Sequence, residues 1–303
     1  MLRICRRLKV LSLLALSTLL MSCGQSRVDC VLNPNVADPK TITSPIHDPS
    51  LIKSEDAYFV YSSSHLGSFY RSDNLREWRL AGQVFEALPT WLVQQIPQAD
   101  HIGAPDLAFY KGRYLYFYQS HISNTCNAAT GLATNLSLDP NSANYQWLDH
   151  GLILRSKPHY ADIDIYCGDE SATFNAIDAH FFVDPNQTPW LVFGSTIGGI
   201  KLIELDPLTL KPLPGAEFAT LAQRFLLQND PIIEAPHLLY RRGYFYLFMS
   251  FNHGCRGADT QYQVRVGRSR DIAGPYLDAN GWPLYLGGGT PLIARDGNYM
   301  GTG

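Results

Sequence analysis

Three acidic side chains sit where acids are costly. Asp48 lies in "SPIHDPSL", Asp178 in "FNAIDAHFF" and Glu234 in "PIIEAPHLL". A lone carboxylate among apolar neighbours must be paired, hydrogen-bonded or neutralised. Desolvation and a like charge nearby both raise a carboxyl pKa. Carboxyls clustered between apolar walls can therefore keep one group as an acid and another as a base at the same pH. Glu234 is the one expected to be raised, because its neighbours are the most apolar and its extra methylene gives it reach. Taken singly, each acid reads better as a turn cap or an acceptor for strand-end N–H groups. Three in similar settings point to proton transfer. His47 either braces Asp48 or is simply a turn histidine.

These acids begin a repeated pattern. "HDPSLIKSEDAYFVYSSS", "APDLAFYKGRYLYFYQS", "IDAHFFVDPNQTPWLVFGS" and "EAPHLLYRRGYFYLFMS" each carry an acid, an apolar strand, a polar turn and a second strand rich in aromatic and branched residues. Alternation and turn chemistry make them β-hairpins. More strand-like sequence follows each one, so every unit has room for four strands. The anchor acids Asp48, Asp106, Asp178 and Glu234 recur at irregular intervals of about 56 to 72 residues, a period that fits β-propeller blades. The fold class expected is all-β, a five-bladed β-propeller, with a fifth blade beginning within residues 287–303. A β-sandwich is the alternative, but it leaves the recurrence unexplained. In a propeller the first strand of each blade lies innermost, so acids at these strand starts converge at one mouth of the channel. Asp106 follows its proline where Asp48 precedes one, and it is read as structural.

The remainder of the chain sets the compartment. Of its 303 residues 46% are hydrophobic and 17% charged, enough for one large core or at most two domains. Arg3, Arg6, Arg7 and Lys9 followed by an apolar stretch read as a secretory signal over residues 1–22. "LLMSCGQS" resembles a bacterial lipobox with Cys23 as the lipidated first residue, and residues 23–42 form a linker. Gly24 after that cysteine favours the outer membrane of a Gram-negative bacterium. Loss of the leader leaves 20 Lys and Arg against 27 Asp and Glu, a balance near −7 with no basic stripe, which excludes nucleic acid as a partner. Cys30, Cys126, Cys167 and Cys255 remain, and an exported protein can oxidise them in any of three complete pairings.

From about Thr43 onward the chain resembles glycoside hydrolase family 43, most closely its endo-1,5-α-L-arabinanases. The resemblance rests on "HDPS", "APDL", "GLATN", "NAIDAHFFVD", "GIKLIELDP", "EAPHLLYRRGYFYLFMSF" and "GGGTPL", in that order. It implies a five-bladed propeller over residues 43–303 that hydrolyses glycosidic bonds with inversion. Asp48 would be the general base, Glu234 the general acid, and Asp178 a third acid that orients the acid and tunes its pKa. Asn175, Ala176, Ile177, Ser195 and Thr196 match stretches that contact sugar. Inversion needs room for a water, so the catalytic carboxyls should stand about 6.5–9.5 Å apart. The partner would be arabinan or another arabinose-containing polysaccharide, and the enzyme a monomer anchored to the membrane through Cys23. An exo-acting arabinofuranosidase or xylosidase is a variant, and a sugar-binding lipoprotein on a decayed hydrolase propeller is the alternative from another class.

Three departures from the family pattern stand out. Gly103 replaces a tryptophan before "APD", and Thr196 and Ile197 replace an aromatic pair, so platforms for sugar stacking are missing. "SNTCNAATG" is atypical. Relatives continue beyond "GGGT" to a histidine that helps hold a metal, commonly calcium. Here the sequence stops at "MGTG", so the resemblance implies calcium with its histidine beyond Gly303 and a last blade left incomplete.

Overall fold

Hairpin chemistry organises the chain into four-stranded sheets. The structure, a computed structural model, describes residues 46–294 apart from 162, 169–171 and 226–229. The signal segment, Cys23, Cys30 and residues 295–303 lie outside the described residues. "YKGRY" and "YRRGY" close their hairpins with two residues at positive φ, Lys111 and Gly112 in one and Arg242 and Gly243 in the other. That backbone twist matches the twist of paired strands, and glycine adopts the second position without strain.

The first sheet comprises β1 (Ser50–Ser54), β2 (Ala57–Tyr61), β3 (Ser68–Ser72) and β4 (Arg79–Gln83). A short helix, α1 (Thr90–Gln95), leads to the second, made of β5 (Gly103–Tyr110), β6 (Arg113–His121), β7 (Ala128–Asn135) and β8 (Leu148–Ser156). A separate two-stranded hairpin follows, β9 (Pro158–Tyr160) and β10 (Ile163–Cys167). The third sheet holds β11 (His180–Val183), β12 (Pro189–Ser195), β13 (Gly199–Glu204) and β14 (Ala219–Ala222). The fourth holds β15 (Ile233–Arg241), β16 (Tyr244–Phe251), β17 (Gln263–Ser269) and β18 (Thr290–Ile293). Each sheet is an antiparallel meander in chain order. The fold is all-β and propeller-like with four blades among the described residues, not a two-sheet sandwich.

One expectation is corrected. Residues 290–293 do not open a fifth blade. They pair with β17, Val264 opposite Ile293 and Val266 opposite Thr290, and complete the fourth sheet. Without them β17 would be an unpaired edge.

Strand alternation explains the long apolar runs. Leu115 and Phe117 of β6 pack towards the third blade, while Tyr116 and Tyr118 pack towards the first. In β12, Leu191 and Phe193 face the second blade and Val192 faces the fourth. A strand buried on both faces has no polar side to show. Each large side chain so buried contributes roughly 1.5–3 kcal/mol.

A ladder of polar contacts ties neighbouring inner strands. Ser50 Oγ accepts from Leu107 N at 3.0 Å, and Asp106 Oδ2 accepts from Phe181 N at 2.8 Å. His180 Nε2 lies 3.2 Å from the Leu238 carbonyl, to which it donates. Asp106 also meets His180 Nδ1 at 3.3 Å. This is the structural role expected of Asp106. Replacing Asp106 by Ala should cost about 1–3 kcal/mol, because a buried backbone N–H loses its acceptor. Denaturant unfolding checks this, and the pH profile of activity should stay in place.

Candidate active site

A backbone kink at the start of each inner strand positions the chemistry. Asp48, Ala104, Asp178 and Ala235 all adopt left-handed conformations, with φ of 49°, 36°, 54° and 53°. Such a residue costs of order 1–3 kcal/mol unless its surroundings hold it. The kinks give the true register of the repeat and correct the sequence alignment of the anchor acids. Asp48 and Asp178 occupy the kink itself. Glu234 stands one residue earlier and Asp106 two residues later. Asp106 therefore turns into the interface between blades, while Asp48, Asp178 and Glu234 act electrostatically on one another across a common space.

Asp48 is held as an anion. Ser63 Oγ donates to its Oδ2 at 2.6 Å, and His47 Nδ1 lies 2.7 Å from the same oxygen. The latter is an ion-pair distance, although the ring is not aligned for a linear hydrogen bond. The other ring nitrogen of His47 lies 3.0 Å from Cys255 Sγ, and Cys255 is disulfide-bonded. Enclosure by protein pushes the Asp48 pKa up, but His47 and Ser63 outweigh it and bring the carboxyl below its usual range. His47 in turn is raised, chiefly by its contact with Asp48. The Asp48 side chain remains 38% exposed, so water can reach it.

Asp178 and Glu234 behave in the opposite way. Asp178 is gripped by one amide: its N–H donates to Gln119 Oε1, and Gln119 Nε2 donates to its Oδ1 at 3.2 Å. Its Oδ2 accepts from Ala235 N at 3.0 Å, directly beside Glu234. That bond crosses from the third blade to the fourth and fixes the kink that aims Glu234. Burial, then the charges of Glu234 and Asp48, push Asp178 well above the ordinary carboxylate range. Glu234 is also raised, first by burial, while Tyr262 Oη donating to its Oε1 works against the shift. The expectation that Glu234 alone is raised is thus amended. The two acids share the burden, and among the described residues Asp178 has no hydroxyl donor to stabilise its charge.

The predicted sugar-contact residues assemble around Asp178. Asn175, Ala176, Ile177 and Ser195 are buried. Asn175 Nδ2 donates to Ser195 Oγ at 3.1 Å, and Ala176 is bonded through its N–H to Ser156 and through its carbonyl to Thr130. Thr196 Oγ1 accepts from Ile233 N at 3.3 Å, joining two blades next to Glu234. Ser63, Gln119 and Tyr262 were not picked out in the sequence. Ser63 and Gln119 stand where the second strand of a hairpin returns to the mouth, in "YSSS" and "FYQS", and those closing polar residues were their signal. Tyr262 had none. The Cys126–Cys167 disulfide, which the sequence left open, joins the β6–β7 loop to β10.

A propeller-like fold with three mutually interacting carboxyls at its mouth is the framework of a glycosidase. Residues 41–291 match the family described as Glycosyl hydrolases family 43, and the chain belongs to it. It is 31% identical over 301 residues to the extracellular exo-α-(1→5)-L-arabinofuranosidase ArbA of Cellvibrio japonicus, an alignment spanning 97% of this chain and 79% of that protein. It is 32% identical to the extracellular endo-α-(1→5)-L-arabinanase 1 of Bacillus subtilis, across 85% of this chain and 75% of that one. The structure of Cellvibrio cellulosa α-L-arabinanase complexed with arabinohexaose superposes with a TM-score of 0.76 at 31% identity, over 85% of this chain and 81% of the other. The protein is a glycoside hydrolase. Among the described residues no group of three or more His, Cys, Asp or Glu side chains is arranged to hold a metal ion.

The raised Asp178 has a consequence for stability. Its folded pKa lies above its unfolded one, so the folded state binds the extra proton, and stability falls as pH rises from the unfolded value towards the folded one. Replacing Asp178 by Asn removes that loss. Whatever offset the swap introduces, the stability difference should move in favour of Asp178→Asn by on the order of 1–3 kcal/mol between pH 4 and pH 8. Urea unfolding of both proteins across that range measures it, and a difference independent of pH would contradict the raised pKa.

Proposed function

We propose that this enzyme cleaves α-1,5-L-arabinan by a single displacement with inversion. The observation that carries the proposal is the opposite tuning of the two sides of one carboxyl cluster. Asp48 is kept anionic by His47 and Ser63, whereas burial raises Glu234 and Asp178. Asp48 takes the proton of a water as that water attacks the anomeric carbon. Glu234 gives its proton to the departing oxygen; Tyr262 occupies Oε1, leaving Oε2 to carry the proton. Asp178 acts through Glu234, by fixing Ala235 and by opposing a second negative charge. Asn175, Ala176, Ile177, Ser195 and Thr196 are proposed to shape the wall that receives the sugar.

The substrate assignment is supported by relatives named for α-1,5-linked arabinan chains and by the arabinohexaose complex. Cleavage within the chain is the first reading. Action from a chain end is favoured by one observation, that the relative aligned over 97% of this chain is named an exo-enzyme. Export is supported by the relatives named extracellular, and attachment through a lipid on Cys23, at the outer membrane, is proposed from the sequence. A fifth blade outside the described residues is also proposed. The inner strands pack in the order β1, β5, β11, β15. His237, at the next rung of the inter-blade ladder, is exposed, as are Leu51 and Leu239 on the outward faces of the first and fourth blades.

Glu234→Gln should lower turnover of polysaccharide by about 10²–10⁴-fold, with a smaller loss on an aryl arabinofuranoside whose leaving group needs little protonation. Asp48→Asn should be equally damaging on both substrates, because a base acts on the water. Equal rescue of both variants would reverse the roles. NMR of the first products should show inverted configuration. The pH profile of kcat/KM should be a bell, its acid limb set by Asp48 below the usual carboxylate range and its alkaline limb by the raised pair. Ser63→Ala should move the acid limb upward by roughly one unit, since a donor to the anion is lost.

A further inference from the structure

The hairpin between the second and third blades, β9 and β10, carries exposed apolar side chains. Tyr160, Ile163, Ile165 and Tyr166 are 62%, 44%, 58% and 51% exposed, although they lie on a two-stranded sheet that could have been polar. The rings of Tyr160 and Tyr166 stand 6.3 Å apart at 83°, presenting two faces in different directions. Exposed apolar side chains in a contiguous group mark interaction surfaces.

The hairpin is also anchored. Cys167 at its end is disulfide-bonded to Cys126 in the β6–β7 loop, and both cysteines are fully buried. His159 Nε2 donates to the Gly168 carbonyl at 2.8 Å, and Phe174 N donates to the Cys167 carbonyl at 3.1 Å. A platform for an extended ligand needs this kind of fixed geometry, because ordering a loose arm would subtract from affinity.

Topology puts the platform at the catalytic mouth. Gln119, near the end of β6, grips Asp178. β7 starts at that same edge, with Ala128 opposite both His121 and Ser156, the last residues of β6 and β8. The hairpin leaves from Ser156 and returns at Phe174, four residues before Asp178. On the wall of the mouth itself, Gly103 and Ile197 place no aromatic face.

We propose that this hairpin is an outlying sugar-binding subsite that holds the arabinan chain beyond the residues being cleaved. Tyr160 and Tyr166 would stack on furanose faces and their hydroxyls would meet sugar hydroxyls, an apolar body with a polar tip being suited to such ligands. The occupant is a carbohydrate and not a protein partner. Four half-exposed side chains offer on the order of 400 Å², about half of what one side of a stable protein interface needs. The inference rests on the arabinan reading above and names where that polymer gains its affinity.

The test compares the full chain with the double variant Tyr160→Ala/Tyr166→Ala, both of which should fold alike because the rings are exposed. KM for debranched arabinan should rise about ten-fold in the variant, as expected for loss of aromatic anchors, while kcat/KM for an aryl arabinofuranoside stays within two-fold. Tyr160→Phe/Tyr166→Phe should retain most of the polymer affinity. Equal loss on both substrates would make the hairpin a support for the fold, and no change on either would overturn the subsite. Loss of self-association in sedimentation with unchanged kinetics would assign the surface to a second copy of the chain. Mobility in a gel containing arabinan separates the two readings. If wild type is retarded and the variant is not, yet wild type releases no sugar, the hydrolysis proposal fails and the subsite stands. If wild type is neither retarded nor active, both fail.

Discussion

Asp178 and Glu234 cannot easily ionise together, and much of this structure depends on that restraint. Each is partly buried, and each lies within the field of the other and of Asp48. The hydrogen bond from Ala235 N to Asp178 holds the pair in place across a blade boundary. A carboxyl kept protonated in this way can serve as an acid near neutral pH. The same arrangement weakens the fold at high pH, since burial and the neighbouring carboxyl charges oppose ionisation.

Placing Asp178 and Ala235, 57 positions apart, at hydrogen-bonding distance requires rigid neighbours. The blades supply rigidity through strands buried on both faces and through the polar ladder from Ser50 to Leu107, Asp106 to Phe181 and His180 to Leu238. The inner strands then start at a common level, and a left-handed residue at each start turns the chain so that neighbouring side chains take different tasks. One position faces the channel and another, two residues on, locks the blades together. Conformational strain at the kinks is offset by these contacts.

Asp48, the proposed base, follows a different logic. Asp48 is not driven to accept a proton but is protected from one, by a histidine and a serine donor on the same oxygen. Partial exposure supplies the water that a base must activate. Asp48 and the Asp178–Glu234 pair thus differ in exposure and in charged neighbours, a histidine beside the first and other carboxyls around the second. On the proposed reading that difference separates acid from base without needing different residue types.

The sequence by itself determined the hairpins, the four repeated units, the three acids and the family. These are local or periodic signals: turn residues, alternation, and short motifs that survive in one dimension. It also placed Asp106 correctly as structural. It misjudged the register of the acids, because an offset of one or two residues is invisible in a motif but moves a side chain from channel to interface. It assigned residues 290–293 to a new blade, because an apolar strand carries no mark of which edge it will join. Gln119, Ser63 and Tyr262 became site residues only when separate strands returned to one mouth. The division of charge was likewise decided by tertiary structure, since a carboxyl's pKa depends on the donors and charges that folding brings to it, and those come from other blades.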